Sequence, residues 1–197
     1  KLKTENKIHR IELFTSVDTW GPQSEYIRNG FDMDKWLSNI DLYLSKVPGT
    51  MVSLMITFCF MSIPNFKMLL DKILELRAKY NDRYPRIEFD TPYLIEPPHL
   101  SAQLASDEHI AHLNDTLAYM KQFVRPGYAP LHFSQTEYEK FERVIRWIEN
   151  NRYQGDILRI NRKDFVKFVD EHDKRRGTDF LSTFPELEKD YSEWKNY

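Results

Sequence analysis

Cysteine is nearly absent: the 197 residues carry one, Cys59. That excludes a disulfide framework within the chain and any site that needs several thiolates from it, and it suits a reducing compartment. Long apolar runs are missing too. The longest, residues 52–63, is broken by Ser53, Thr57 and Ser62 and is too short to cross a bilayer as a helix. Neither charge predominates, with 28 Lys and Arg against 30 Asp and Glu and a net charge of −2. This supplies no basic excess for non-specific nucleic-acid binding. The six glycines form no phosphate-cradling loop. A Gly-x-Ser-x-Gly nucleophile elbow and a paired-carboxylate motif are likewise missing. No charged-then-apolar leader opens the sequence, so the expectation is a cytoplasmic protein with no nucleic-acid and no membrane partner.

What is present is the composition of a globular protein, 41% hydrophobic and 14% aromatic against 29% charged. Apolar strand-like runs at 13–16, 51–59 and 86–90 alternate with segments of helical period. Asp32 stands as an N-cap ahead of Trp36, Leu37, Ile40 and Leu44, and Pro48-Gly49 closes that helix. Phe66, Leu69, Leu70, Ile73 and Leu74 share one face of the next, and Ser106 opens a helix with Ile110, Leu113, Leu117 and Met120. Ser134 and Glu137 make a capping box, with Phe133 and Tyr138 placed as its hydrophobic staple, before Phe141, Ile145 and Ile148. A short strand is predicted over 156–160, then a helix opening at Asn161 with Phe165, Phe168 and Val169. A last helix is capped through 183–186. Strand–helix alternation of this kind predicts an α/β protein with parallel strands and right-handed crossovers. The Pro126-Gly127 pair after Arg125 is the candidate boundary between a first unit, 1–124, and a mainly helical second unit, 125–197.

Ligands of parallel sheets bind where strands end. Ser16 and Asp18, two apart, point to one face of the first strand end, and Arg28 supplies the opposite charge. The plain alternative is that Ser16 or Asp18 caps the helix near Pro22 and Arg28 is solvated. Asp90 and Thr91 end the third strand, as a second pair of ligand contacts or as the cap of the following turn. His99 sits in the proline-punctuated segment 91–101, near the same mouth. His109 and His112 are three apart on a helix and lack any zinc-protease pattern. The basic run Lys174-Arg175-Arg176 suits either an acidic group or a helix C-terminus. Cys59, inside an apolar strand, reads as a small buried hydrophobe.

The pattern Ser16-Val17-Asp18, Trp20-Gly21, Gln23, Glu25-Tyr26, Arg28 and Gly30 resembles the fourth-strand region of radical S-adenosylmethionine enzymes. The two later strands resemble the fifth and sixth barrel strands. Residues 173–186 are similar to the close of a subgroup that carries a twitch extension. The resemblance implies a half parallel β/α barrel of about three strand–helix units followed by a twitch-like helical extension. It implies S-adenosylmethionine contacts at Ser16, Asp18 and Arg28; place at the strand ends adds Thr57, where relatives carry a polar amide, and Asp90 as cofactor contacts, and position adds His99 and Thr91 toward an unknown small-molecule or peptide substrate. It also implies a 4Fe-4S cluster whose ligands are not in this chain, since one cysteine cannot hold it. The expectation is therefore a C-terminal portion whose partner is a missing N-terminal half-barrel, inactive alone, with no catalytic residue and no metal ligand of its own. In the intact enzyme the chemistry would be that of the 5′-deoxyadenosyl radical. The rival expectation is a non-catalytic, degenerate α/β binding module for a peptide or partner protein.

Overall fold

The computed structural model describes residues 11–81, 85–125 and 131–197, together with Glu5, Lys7 and Ile8. Within them the protein is α/β and mostly helical: a three-stranded parallel sheet and eight α-helices. The strands are β1 (Glu12–Ser16), β2 (Met51–Met55) and β3 (Ile87–Asp90). The helices are α1 (Pro22–Ile27), α2 (Met33–Lys46), α3 (Phe66–Tyr80), α4 (Asp107–Gln122), α5 (Gln135–Asn151), α6 (Gly155–Arg176), α7 (Phe180–Thr183) and α8 (Glu188–Lys195). Among the described residues no helix is long and apolar enough to cross a membrane.

The sheet order is β1-β2-β3, with Leu13 opposite Val52 and Val52 opposite Ile87. Parallel neighbours need crossovers, which α1 with α2, and then α3, supply. Side chains alternate along each strand, and the buried apolar set, Val17, Val52, Leu54, Ile87 and Phe89, falls on one face, while Ser53 is buried on the other. The Trp36 indole N–H donates to the Thr15 hydroxyl on that face at 2.9 Å, which seats α2 there. On the other face Phe14 is 63% exposed, and Ser16, Met51, Met55 and Asp90 are half-buried.

The two sheet edges differ. At β3 the outward Ile87 carbonyl accepts from Arg77 Nε at 3.1 Å, and the outward Phe89 N–H donates to the Glu137 carboxylate at 3.1 Å. At β1 the outward peptide groups of Phe14 and Ser16 have no backbone partner among the described residues. The C-terminal helices share the core of the strand–helix units. Phe58 and Phe66 pack with Phe141 of α5, and Phe60 packs with Phe165 of α6 and Trp194 of α8.

Local sequence signals account for the helix starts. Asp32 accepts from the Lys35 N–H at 2.8 Å, and Ser134 and Glu137 form the reciprocal capping box. Ser106 forms one with His109, whose Nδ1 accepts from the Ser106 N–H at 3.0 Å. The predicted strand over 156–160 is not formed, because α6 runs unbroken from Gly155. Leu158, Asn161, Phe165, Val169 and His172 keep one helical stripe, and the Asn161 amide donates to the Ile157 carbonyl one turn back instead of capping a helix. The close of the chain differs as well: Asp179 caps α7, and α8 follows a 3-10 turn with no side-chain cap. The Pro126-Gly127 pair lies outside the described residues.

Candidate functional site

β1 ends at Ser16, Val17 keeps the ladder through its N–H to the Met55 carbonyl at 3.1 Å, and Asp18 follows at the carboxyl end of the sheet. Gly21, at φ 68°, and Pro22 at the first helical position then turn the chain into α1, which ends with Arg28. The Asp18 side chain is 4% exposed. Its Oδ1 accepts from Arg28 Nη2 at 3.0 Å and from the Thr57 N–H at 3.1 Å, and its Oδ2 lies 2.6 Å from Arg28 Nε. One carboxylate thus ties the ends of β1 and β2 to the end of α1. Burial pushes the Asp18 carboxyl above its ordinary value, against the lowering by Arg28 and by the Thr57 N–H.

A cavity of about 230 Å³ opens beside this pair. Arg28, Thr57 and Asp18 form its polar end. The rest of its lining comes from Ile27, Cys59, Met61, Leu94 and Leu100, with Phe168 and His172 of α6 and Tyr26 of α1. The His172 ring stacks on Tyr26 at 4.2 Å. Arg176 Nη1 lies 3.0 Å from His172 Nε2, and since arginine only donates, Nε2 is the acceptor and the proton sits on Nδ1. That Nδ1–H meets the Thr178 hydroxyl at 3.1 Å, which in turn donates to Asp173 at 2.7 Å. His172 is therefore a neutral imidazole with both nitrogens occupied. Burial first, and then Arg176, hold its pKa down, outweighing Asp173.

The two stretches that carry the family resemblance meet here. Gln23 of α1 donates to the Thr183 carbonyl at 3.0 Å and to the Glu186 carboxylate at 3.3 Å, and the Tyr26 ring packs edge-on against Phe184. The spacing of residues 16–30 and 173–186 in the sequence contains nothing of this contact.

Of the candidate positions, Asp18, Arg28 and Thr57 are brought together at the cavity. Ser16 stays below it, half-buried, with a hydroxyl that bonds no described residue. Asp90 accepts from the Thr91 N–H at 2.9 Å and pairs with Lys140 at 3.1 Å, away from the cavity. Thr91 is fully buried and does not line the cavity either. His99 lies on the far side of Phe168, ring centroids 5.4 Å apart, with burial holding its pKa down against Asp164. His109 and His112 diverge, the first toward Asp190 and the second toward the Pro64 carbonyl. Cys59 is buried and its thiol is pushed up to about 11, chiefly by burial, so it does not fit a thiolate ligand. Among the described residues no three His, Cys, Asp or Glu side chains converge as a metal site.

Sequence reasoning missed Tyr26, Phe168 and His172. Phe168 and His172 show in the sequence only as members of the α6 stripe, a pattern that core residues share. Comparison with protein-family models, with curated proteins and with solved structures returned no match to this chain.

Proposed function

We propose that this chain is the C-terminal half-barrel and helical extension of a radical S-adenosylmethionine enzyme acting on a small-molecule or peptide substrate. The observation that carries the reading is the sequential, parallel order β1-β2-β3 with the buried apolar strand residues on one face, the pattern of a barrel arc. A doubly wound sheet covers both faces with helices. The edges support the same reading: β3 is closed by Arg77 and Glu137, while the outward peptide groups of Phe14 and Ser16 in β1, from which any earlier strand would continue, have no backbone partner among the described residues.

In this reading the Ser16 hydroxyl is free to meet a ligand, and Thr57 and Asp90 stand at neighbouring strand ends. Asp18 is already spent on Arg28 and the Thr57 N–H. It is a positioning residue, and Arg28 is the group that faces the ligand. S-adenosylmethionine supplies hydrogen-abstraction chemistry in such enzymes. The residues of this chain do not fit the iron–sulfur cluster, because Cys59 is buried, protonated and alone. What the chain contributes is orientation by Arg28 and exclusion of water by the apolar walls.

The test is the coding sequence upstream of Lys1 together with the intact mass of the native polypeptide. A product near twice this size, with three closely spaced cysteines before Lys1, and release of 5′-deoxyadenosine by the reduced full-length protein, support the enzyme. A native chain that starts near Lys1 and binds a protein partner without any response to S-adenosylmethionine overturns it in favour of the binding module.

A further inference from the structure

A guanidinium has two edges on which a planar acceptor seats with two parallel hydrogen bonds, the Nε/Nη2 side and the Nη1/Nη2 end. Arg28 Nη2 donates to Asp18 Oδ1 at 3.0 Å and Nε lies 2.6 Å from Oδ2 on the same side, while no described residue accepts from Nη1. The Thr57 hydroxyl, at the same end of the cavity, is also without a partner among the described residues. Asp18 cannot turn to a ligand without giving up Arg28 and the Thr57 N–H. It fixes the plane of the guanidinium and leaves the end edge open.

The remaining surface is apolar or aromatic. Leu94, Leu100 and Phe168 line it, and the His172 ring is held by Arg176, Thr178 and Tyr26 with no free nitrogen to offer. The volume of about 230 Å³ corresponds to about eight waters at about 30 Å³ each. It lies below the roughly 300–1,000 Å³ of pockets that enclose a drug-sized molecule. It is sufficient for one ring with a short polar end.

We propose that this cavity is the subsite for a small aromatic carboxylate, the carboxylate seated on the end edge of Arg28 and the ring against Phe168. If the chain is part of the proposed enzyme, this ligand is its substrate. In a binding module the same cavity takes the same ligand.

The experiment titrates benzoate into the full-length protein by ligand-detected NMR, beside benzamide and benzylammonium. Benzoate is expected to bind about tenfold or more tightly than benzamide, as a charge-assisted pair requires, and benzylammonium not at all. Arg28→Lys keeps a cation for Asp18 and removes the planar end edge, so it should weaken benzoate about tenfold while the denaturation midpoint stays near that of the parent. Phe168→Ala, farther from the buried pair, should shift preference toward naphthoate. Equal binding of benzoate and benzamide, or an Arg28→Lys protein that binds benzoate as the parent does, overturns the proposal. Displacement of benzoate by S-adenosylmethionine also overturns it and assigns the cavity to the amino-acid end of that cofactor. Absence of 5′-deoxyadenosine release with benzoate binding intact removes the enzyme reading and leaves the subsite standing.

Discussion

Two arginine–carboxylate pairs stand at opposite sides of the sheet, and they are built differently. Arg77 has every nitrogen in use: Nε on the Ile87 carbonyl, Nη1 on the His132 carbonyl and Nη2 on Glu137. Glu137 is equally spent, on the Phe89 N–H and on the N–H and hydroxyl of Ser134. Both side chains are about 95% buried, and the pair closes the β3 edge. Arg28, one third exposed, pairs with Asp18 through Nη2 and Nε and also lines a cavity. A saturated buried pair is fastening, because a ligand could bind it only by breaking it. A half-used pair beside an apolar cavity is a place where a ligand adds bonds without costing any.

The difference can be broken most forcefully at Arg77. Arg77→Leu leaves Glu137 buried and unpaired, and an equilibrium denaturation curve should show a loss of about 3–5 kcal/mol, partly restored by adding Glu137→Leu. A loss under about 1 kcal/mol would equate the pair with a surface one. Arg28→Leu should cost less, about 1–3 kcal/mol, since water reaches Asp18 through the cavity once the guanidinium is gone. If the two substitutions cost the same, the contrast between the pairs fails. Gly177 ends α6 at φ 66° with open space around it, and it sets the corner that Gln23 and Tyr26 grip. Gly177→Ala should cost about 1 kcal/mol from backbone strain alone.

The smallest effects lie in the pH profile. Asp18, raised in the fold, lends stability in full below the ordinary carboxyl value of 3.8 and loses it as pH rises through its higher folded value. Asp18→Asn should therefore gain on the parent between acid and neutral pH in paired denaturation curves. His172, lowered in the fold, lends stability above its ordinary value of 6.5 and loses it as pH falls from there through the folded value. His172→Gln should flatten that acid loss, and an unchanged slope would deny the Arg176 contact.

The parts of the fold that were legible are those that short-range chemistry decides. Ser134 and Glu137 cap each other three residues apart, and Asp32 caps its own helix, so both starts could be read directly. The strand over 156–160 was misread for the same locality: Ile157, Leu158 and Ile160 suit a strand, but Ile157 and Ile160 are exposed and no sheet edge lies there to accept them. At the site, the proximity of Asp18 and Arg28 was legible because ten residues of turn and helix join them. His172 and Phe168 were not, because they approach residue 28 across more than a hundred residues of chain.

The sequence by itself determined the alternation of parallel strands with helices, the ends of most helices and the presence of opposite charges at the first strand end. Period, capping and turn chemistry act within a few residues, where the chain has little choice. Only the tertiary structure decided that Asp18 joins Arg28 to the Thr57 N–H, that Glu137 closes the β3 edge, and that α6 lines the cavity. Those outcomes depend on which distant groups compete for the same hydrogen bonds, and burial settles that competition after the chain has folded.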